Sequence, residues 1–215
     1  MEITISQKQP LAPLVVILAG GKGRRMGGNK PLYPLEGGSL IGKVLERLQS
    51  QGVEIKINAG EPTGELAERL SKLAPTLFDV DNYVGLGPMS GVYTGLQYAK
   101  DVGENEVITV PCDMPALPAD YVQCLRGAST HDCDVVHFKG ERDYPLCAIW
   151  NIRQLPHLLR TLEASRPDGG LGVMKYLATV RVQHVPVAND RDFLNVNTVE
   201  DLASLPFLRT VTGNH

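Results

Sequence analysis

Leu14-Val15-Val16-Ile17-Leu18-Ala19 is an unbroken apolar run that ends at glycine, the pattern of a β-strand buried on both faces. After Ser39 the period changes. Ile41, Val44, Leu45 and Leu48 recur on one helical face, Ser39 can cap it and Gly52 stops it, so a helix is predicted to about Gln51. Val53–Asn58 predicts a second strand, Thr63–Leu73 a helix with Leu66, Leu70 and Leu73 in register, and Thr76–Val80 a third strand. Pro88 opens a helix to Lys100, Glu106–Val110 forms a fourth strand, and Pro118 opens a helix to Arg126. Strand and helix thus alternate four times. That implies an α/β fold, a parallel sheet with helices on both faces in a three-layer sandwich.

Beyond Arg126 the rhythm differs. Strands at Asp134–Phe138 and Leu146–Trp150 are separated only by Lys139–Pro145, too short for a crossover helix, so this pair is expected to be antiparallel and the sheet mixed. A helix over Arg153–Ala164, a loop over Arg166–Gly172, a short helix over Val173–Ala178 and a strand over Val180–Val187 follow. Thr198 with Asp201 three residues later announces a last helix, Val199–Leu205. With no linker and no internal repeat, the chain reads as one domain over residues 14–205, with a flexible arm over 1–13 and a tail over 206–215. In such sheets ligands bind at the carboxyl ends of the strands, which places the chemistry just after Ala19, Asn58, Val80 and Val110.

Composition narrows the function classes. Hydrophobic residues at 43% and charged residues at 21% suit a folded globular chain and exclude a disordered one. A net charge of −3 argues against a nucleic-acid binder, so any anion site has to be a local concentration of Lys and Arg. No apolar run approaches the ~20 residues of a membrane span, and no secretory leader pattern is present. The expectation is a cytoplasmic protein without membrane contact. Cys112, Cys124, Cys133 and Cys147 form no Cys-x-x-Cys pair and read as reduced core thiols. His131, His137, His157, His184 and His215 show no ligand spacing to one another and read as surface or core residues.

A concentration of cations does follow the first strand. Gly20-Gly21-Lys22-Gly23-Arg24-Arg25-Met26-Gly27-Gly28-Asn29-Lys30 holds five glycines and four cations in eleven residues. Glycine lets backbone N–H groups converge on phosphate oxygens, and Arg25 and Lys30 neutralise their charge. The stretch is neither familiar phosphate loop: the dinucleotide pattern G-x-G-x-x-G meets Met26 at its last place, and the P-loop meets Asn29 where it needs Lys. Asp113, directly after the fourth strand and fixed between Pro111 and Pro115, suits Mg2+ shared with phosphate oxygens. Asn58 and Asp81 follow the second and third strands, where a carboxamide or carboxylate can read a base edge or simply cap a loop. Asp79 competes with Asp81 for that role. Asn195 and Asn197 bracket Val196 in an extended stretch, so both face one side, toward metal or phosphate, or else cap an Asx turn.

These residues carry a resemblance. Leu18-Ala19-Gly20-Gly21-x-Gly23-x-Arg25-Met26-Gly27-Gly28-x-Lys30 resembles the signature of the molybdenum cofactor guanylyltransferases. Gly87-Pro88-Met89-Ser90-Gly91, Pro111-Cys112-Asp113-Met114-Pro115 and Asn195-Val196-Asn197-Thr198 resemble that family's later motifs, in the same order. Gly140-Glu141-Arg142-Asp143-Tyr144-Pro145 is similar to its Gly-Glu-Arg-Asp-x-Pro stretch. The resemblance covers about residues 14–205 and departs at Gly28-Asn29-Lys30, one residue shorter than the family's Gly-Gly-x-Asp-Lys and lacking the acid.

The resemblance implies a nucleotide-diphospho-sugar-transferase-like, Rossmann-type fold, with a nucleotide-binding half over about 14–128 and a second-substrate half over about 129–205. It implies Mg2+-dependent transfer of GMP from GTP to molybdopterin, or its molybdenum form, giving molybdopterin guanine dinucleotide and pyrophosphate. Nucleotide binding would fall to Leu18, Ala19, Gly20, Gly21, Gly23, Lys30, Asn58, Asp81 and Asp113. Arg25, Lys30 and Asp113 would be catalytic, Asp113 would hold the metal, and Arg142, Asn195 and Asn197 would meet the second substrate. Transient contact with cofactor-synthesis or acceptor proteins is also implied. Two other readings stand beside it. One is a sister enzyme using CTP or a sugar or polyol phosphate; Gly20-Gly21, in place of the Ala-Gly more common in the cytidylyl branch, argues against it. The other is a non-catalytic nucleotide-binding regulatory module, against which stand Lys30 and Asp113.

Overall fold

The computed structural model describes residues 12–20, 29–203 and 205. The chain runs through β1 (Leu14–Leu18), a small hairpin of β2 (Pro34–Leu35) and β3 (Gly38–Ser39), α1 (Leu40–Gln49), β4 (Glu54–Gly60), α2 (Glu65–Ser71), β5 (Thr76–Phe78) and α3 (Pro88–Val102). It continues through β6 (Glu106–Pro111), α4 (Tyr121–Ala128), β7 (Val135–Lys139), β8 (Asp143–Asn151), α5 (Leu155–Ser165), α6 (Val173–Leu177), β9 (Val182–Pro186) and α7 (Val199–Ala203). Local signals act where expected. The Ser39 side chain accepts from the Gly42 N–H at the start of α1, and Pro88 occupies the first turn of α3, where its missing N–H costs nothing.

β1 pairs in parallel with β4 on one side and β6 on the other, and β5 continues the parallel set beyond β4. β8 is antiparallel to both β6 and β7, and β9 is parallel to β7. The order is β5-β4-β1-β6-β8-β7-β9, a mostly parallel mixed sheet. Alternation of side chains along β1 builds the layers. Val15 and Ile17 pack with residues of α1, α2 and α4, whereas Leu14 and Val16 pack with α3, α5 and α6. A fully buried aliphatic side chain contributes ~1.5–3 kcal/mol, so the apolar β1 anchors both helix layers.

A third apolar cluster joins segments far apart in the chain. Leu35 of the hairpin, Leu40, Ala116 of the loop after β6, and Val196, Leu202 and Leu205 of the last segment pack together. They hold the hairpin, that loop and α7 over the carboxyl edge of the sheet.

Some boundaries shift from the sequence expectation. α4 starts at Tyr121, not Pro118, because Pro118 opens a turn that the Tyr121 N–H closes onto its carbonyl at 3.3 Å. β8 begins at Asp143, which shortens the link from β7 to Gly140–Arg142. The hairpin β2–β3 was not expected. The four cysteines are free, three of them buried. Among the described residues no helix is long and apolar enough to cross a membrane.

Candidate active site at the carboxyl edge of the sheet

β1 leaves the sheet gripped from both sides. The Ala19 N–H donates to the Asn58 carbonyl at 2.8 Å, and the Cys112 N–H donates to the Leu18 carbonyl at 3.2 Å. Gly20 then passes so close to Gly60 that a Cβ on Gly20 would run into the Gly60 backbone, and Gly60 itself has φ +74°. Neither position tolerates a side chain without moving the chain out of the sheet edge. Of the phosphate-loop residues expected from the sequence, Leu18, Ala19, Gly20 and Lys30 are described; Gly21, Gly23 and Arg25 lie outside the described residues, as do residues 1–11 of the arm and the tail from 206.

Lys30 returns to this edge on a 3-10 turn, Lys30–Leu32, seated by the buried Pro31. Its ammonium donates to Asp113 Oδ2 at 2.5 Å and to Asn197 Oδ1 at 2.7 Å. The Lys30 and Asp113 side chains are only 13% and 15% exposed, so this charge pair is shielded from bulk water. Asp113 is tied to the last segment through its carbonyl, which accepts from the Val196 N–H at 2.9 Å. Asp201 fixes Asn197: its Oδ2 accepts from the Asn197 and Thr198 amides at 2.7 and 2.8 Å, while the Asp201 N–H donates to Thr198 Oγ1 at 3.3 Å. This is the capping box read from Thr198 and Asp201. The Asn197 amide first, then those of Thr198 and the nearby Lys30 charge, hold the Asp201 carboxyl below its ordinary range.

Asp113 Oδ1 is buried without a hydrogen-bond partner, and so is Asn195 Oδ1. A buried carboxylate oxygen left unpaired is costly. Its partner Oδ2 and Asn197 Oδ1 already converge on one positive charge. Oxygen-only donors of this kind fit a hard divalent cation such as Mg2+. The neighbouring Cys112 offers no nucleophile: burial, and secondarily the Asp113 charge, push its thiol far above the ordinary range, so it stays protonated.

Beside this cluster, Asn58 and Asp79 form a second one. Asp79 Oδ1 accepts from Asn58 Nδ2 at 2.8 Å and from Thr94 Oγ1 at 3.0 Å. Asn58 is 3% and Asp79 8% exposed, and desolvation raises the Asp79 carboxyl although both donors oppose it. The start of α3 is shaped around Asn58, because a Cβ on Gly91 would collide with Asn58 Oδ1 and with Leu18. Ser90 Oγ lies there too, buried and without a partner. Asp81 instead stands exposed on the 3-10 turn Asp81–Tyr83.

β7 and β9 end, and β8 begins, on the same edge. Arg142, at the tip of the Gly140–Arg142 turn, lies over the Tyr144 ring at 5.3 Å. Tyr144 donates its hydroxyl to Asp190 Oδ1 at 2.5 Å, and the Glu141 N–H donates to the same oxygen at 3.1 Å. The structure therefore brings Asn197 to Lys30 and Asp113, and gives Arg142 its own surroundings. Thr94, Ser90, Asp190 and Asp201 were not singled out as site residues by the sequence. The spacing of Ser90 and Thr94, one helical turn apart before the apolar face of α3, was the available signal. His137 and His184, read as a core or surface residue each, are buried and exposed respectively, and they sit opposite each other on β7 and β9 with ring centroids 4.5 Å apart, a pairing their spacing in the chain does not show.

A mostly parallel sheet whose carboxyl edge gathers a lysine, a carboxylate and a carboxamide beside the close-packed Gly20 and Gly60 defines an α/β protein with its candidate site at that edge. The chain belongs to the MobA-like NTP transferase domain family, whose model matches residues 15–184. It is 35% identical over 189 residues to a molybdenum cofactor guanylyltransferase of Cereibacter sphaeroides, spanning 87% of this chain and 92% of that one. It is 34% identical over 194 residues to one of Rhodobacter capsulatus, with the same coverage of both chains. Its fold is similar to the crystal structure of molybdopterin-guanine dinucleotide biosynthesis protein A from Archaeoglobus fulgidus, with a TM-score of 0.72 and 24% identity over 89% of this chain and 95% of that one. The resemblance read from the ordered motifs and the mixed α/β fold expected with it both hold.

Proposed function

We propose that the protein transfers GMP from GTP to the terminal phosphate of molybdopterin, or its molybdenum form, in the cytoplasm, releasing pyrophosphate. The observation that carries this is the meeting of Lys30, Asp113 and Asn197 at the sheet edge, in a chain whose relatives bear that guanylyltransferase name. A substrate phosphate oxygen attacks the α-phosphorus of GTP in line with departing pyrophosphate, so one P–O bond forms as another breaks. Such transfers need positioning and charge neutralisation more than covalent help. Gly20, Gly21 and Gly23 supply backbone N–H groups to the triphosphate. Arg25 and Lys30 offset its charge, most where negative charge builds up as pyrophosphate leaves. Asp113, with Asn197 beside it, would hold Mg2+, which would supply positive charge against the repulsion of the triphosphate.

The base is read at the Asn58 end. Asp79 commits Oδ1 to Asn58 and Thr94 and so positions the carboxamide. The exposed Asp81 keeps both oxygens for the two N–H groups of guanine's Watson–Crick edge. Arg142 and Asn195, from the later part of the chain, receive the phosphate end of the pterin. The product then passes to cofactor-synthesis or acceptor proteins by transient contact.

The test is a scan of the four nucleoside triphosphates against molybdopterin with Mg2+, reading pyrophosphate. Release with GTP alone is expected. Preferred release with CTP overturns the guanine assignment, and tight binding with no release from any of the four overturns the catalytic one.

A further inference from the structure

A different donor set lies where β7, β8 and β9 meet. We propose that His137, His184 and Asp143 form a binding site for a divalent first-row transition ion, with Zn2+ as the type case. The parallel register of β7 and β9 pairs His137 directly with His184. Both point to the face on which Val135 and Val182, two residues earlier on each strand, pack. Asp143 enters as the first residue of β8, its Oδ1 3.9 Å from His137 Nε2. One ring nitrogen from each histidine and one Asp143 oxygen lie within 4.8 Å of one another.

The hydrogen bonding of His137 carries the argument further. Its Nδ1 lies 2.8 Å from the Phe138 carbonyl. A carbonyl oxygen only accepts, so the proton sits on Nδ1 and the lone pair on Nε2 faces Asp143. Histidines that ligate metals are oriented in this way, donating the other ring N–H to a carbonyl or carboxylate. His137 is 1% exposed, and its Nε2 and the Asp143 carboxylate are two electron-rich groups directed at one gap.

Imidazole nitrogens favour Zn2+ and its neighbours over Mg2+, which separates this site by ligand chemistry from the oxygen donors of Asp113 and Asn197. Bonds of ~2.0–2.2 Å in a tetrahedron place ligand atoms ~3.4 Å apart, so the three side chains draw in by roughly 1 Å. Exposed His184 and partly exposed Asp143 have the freedom to do so. Lys139, whose Nζ stands 3.7 Å from Asp143 Oδ1, is half-exposed and can turn to solvent. An ion here fastens the edge strand β9 to β7 and pins the residue that follows the Gly140–Arg142 turn.

The experiment uses the full chain without a polyhistidine tag, stripped by chelator and held in excess Mg2+. It is titrated with Co2+, followed by its visible absorption, and then with Zn2+ in competition, with thermal melts alongside. The wild type is expected to bind one equivalent and to melt higher with Zn2+. His184→Ala, a surface change, should weaken binding about tenfold or more and abolish the Zn2+-dependent shift. Asp143→Asn should weaken it too, while Asp113→Asn retains it. No saturable binding by the wild type overturns the proposal, as does binding that both His184→Ala and Asp143→Asn leave unchanged.

Discussion

Asp79 loses its water at the sheet edge and receives two donors in return, the Asn58 amide and the Thr94 hydroxyl. Desolvation still prevails and keeps its carboxyl above the ordinary value of 3.8. The sign follows from linkage: a carboxyl raised in the folded state gives its full stability below its unfolded value and loses it as pH climbs through the folded one. Asp79→Asn removes that loss. The variant is expected to melt no lower than wild type at neutral pH while binding GTP about fivefold more weakly, because Asn58 exchanges a charged anchor for a neutral one. Thermal melts against pH, with a GTP titration, check both halves; a clear drop in neutral-pH stability would contradict the first. Asp113 presents the opposite case, a buried oxygen with no internal donor. Asp113→Asn keeps the shape and removes the charge, so normal folding is expected with turnover down about tenfold or more, ~1.4 kcal/mol in the barrier. Pyrophosphate release during a Mg2+ titration measures it, and an unchanged rate with unchanged Mg2+ dependence means the metal is held elsewhere.

The edge strand β9 is fastened at its start as well as along its ladder. Arg181 donates through Nε to Asp134 Oδ2 at 3.0 Å and through Nη2 to Oδ1 at 2.9 Å, and its amide adds a third bond to Oδ2 at 3.0 Å. The Arg181 side chain, more than any other cause, holds the Asp134 carboxyl below 3.8. A lowered carboxyl gives its stability above its unfolded value and loses it as pH falls through the folded one. Acid should therefore loosen this end of β9, and Asp134→Asn should lower the melting temperature by a few degrees at neutral pH while flattening its acid dependence. Melts across the acid range decide it; parallel curves for the two proteins would show that Asp134 is not the group responsible. Elements with a full apolar period, such as Leu14–Ala19, Val53–Asn58 and the face of α1, were legible in the sequence. The hairpin β2–β3 was not, since strands of two residues have no period. The pairing of His137 with His184 was hidden for another reason. Register between strands separated by β8, α5 and α6 leaves no local trace. Lys30, Asp113 and Asn197 were visible singly through their neighbours, but their meeting, and the grip of Asp201 on Asn197, exist only in the fold.

Across the whole molecule, the turn carrying Arg142 and the cluster around Lys30 sit on one edge but rest on different supports, Tyr144 with Asp190 in the first case and the third apolar cluster in the second. Arg142→Ala is therefore expected to impair molybdopterin use about tenfold with GTP affinity unchanged, read as separate KM values for the two substrates. Equal losses would move Arg142 into the nucleotide site. The third apolar cluster has a consequence for the order in which the chain is made. Lys30 and Asp113 leave the ribosome long before Asn197, and Val196, Leu202 and Leu205 are the residues that seat the last segment over them. A nascent chain that has already built its sheet through β8 still lacks the Asn197 oxygen and the Asp201 clamp. On the proposed function, the site at the sheet edge is therefore complete only once residues 196–205 have been made and seated.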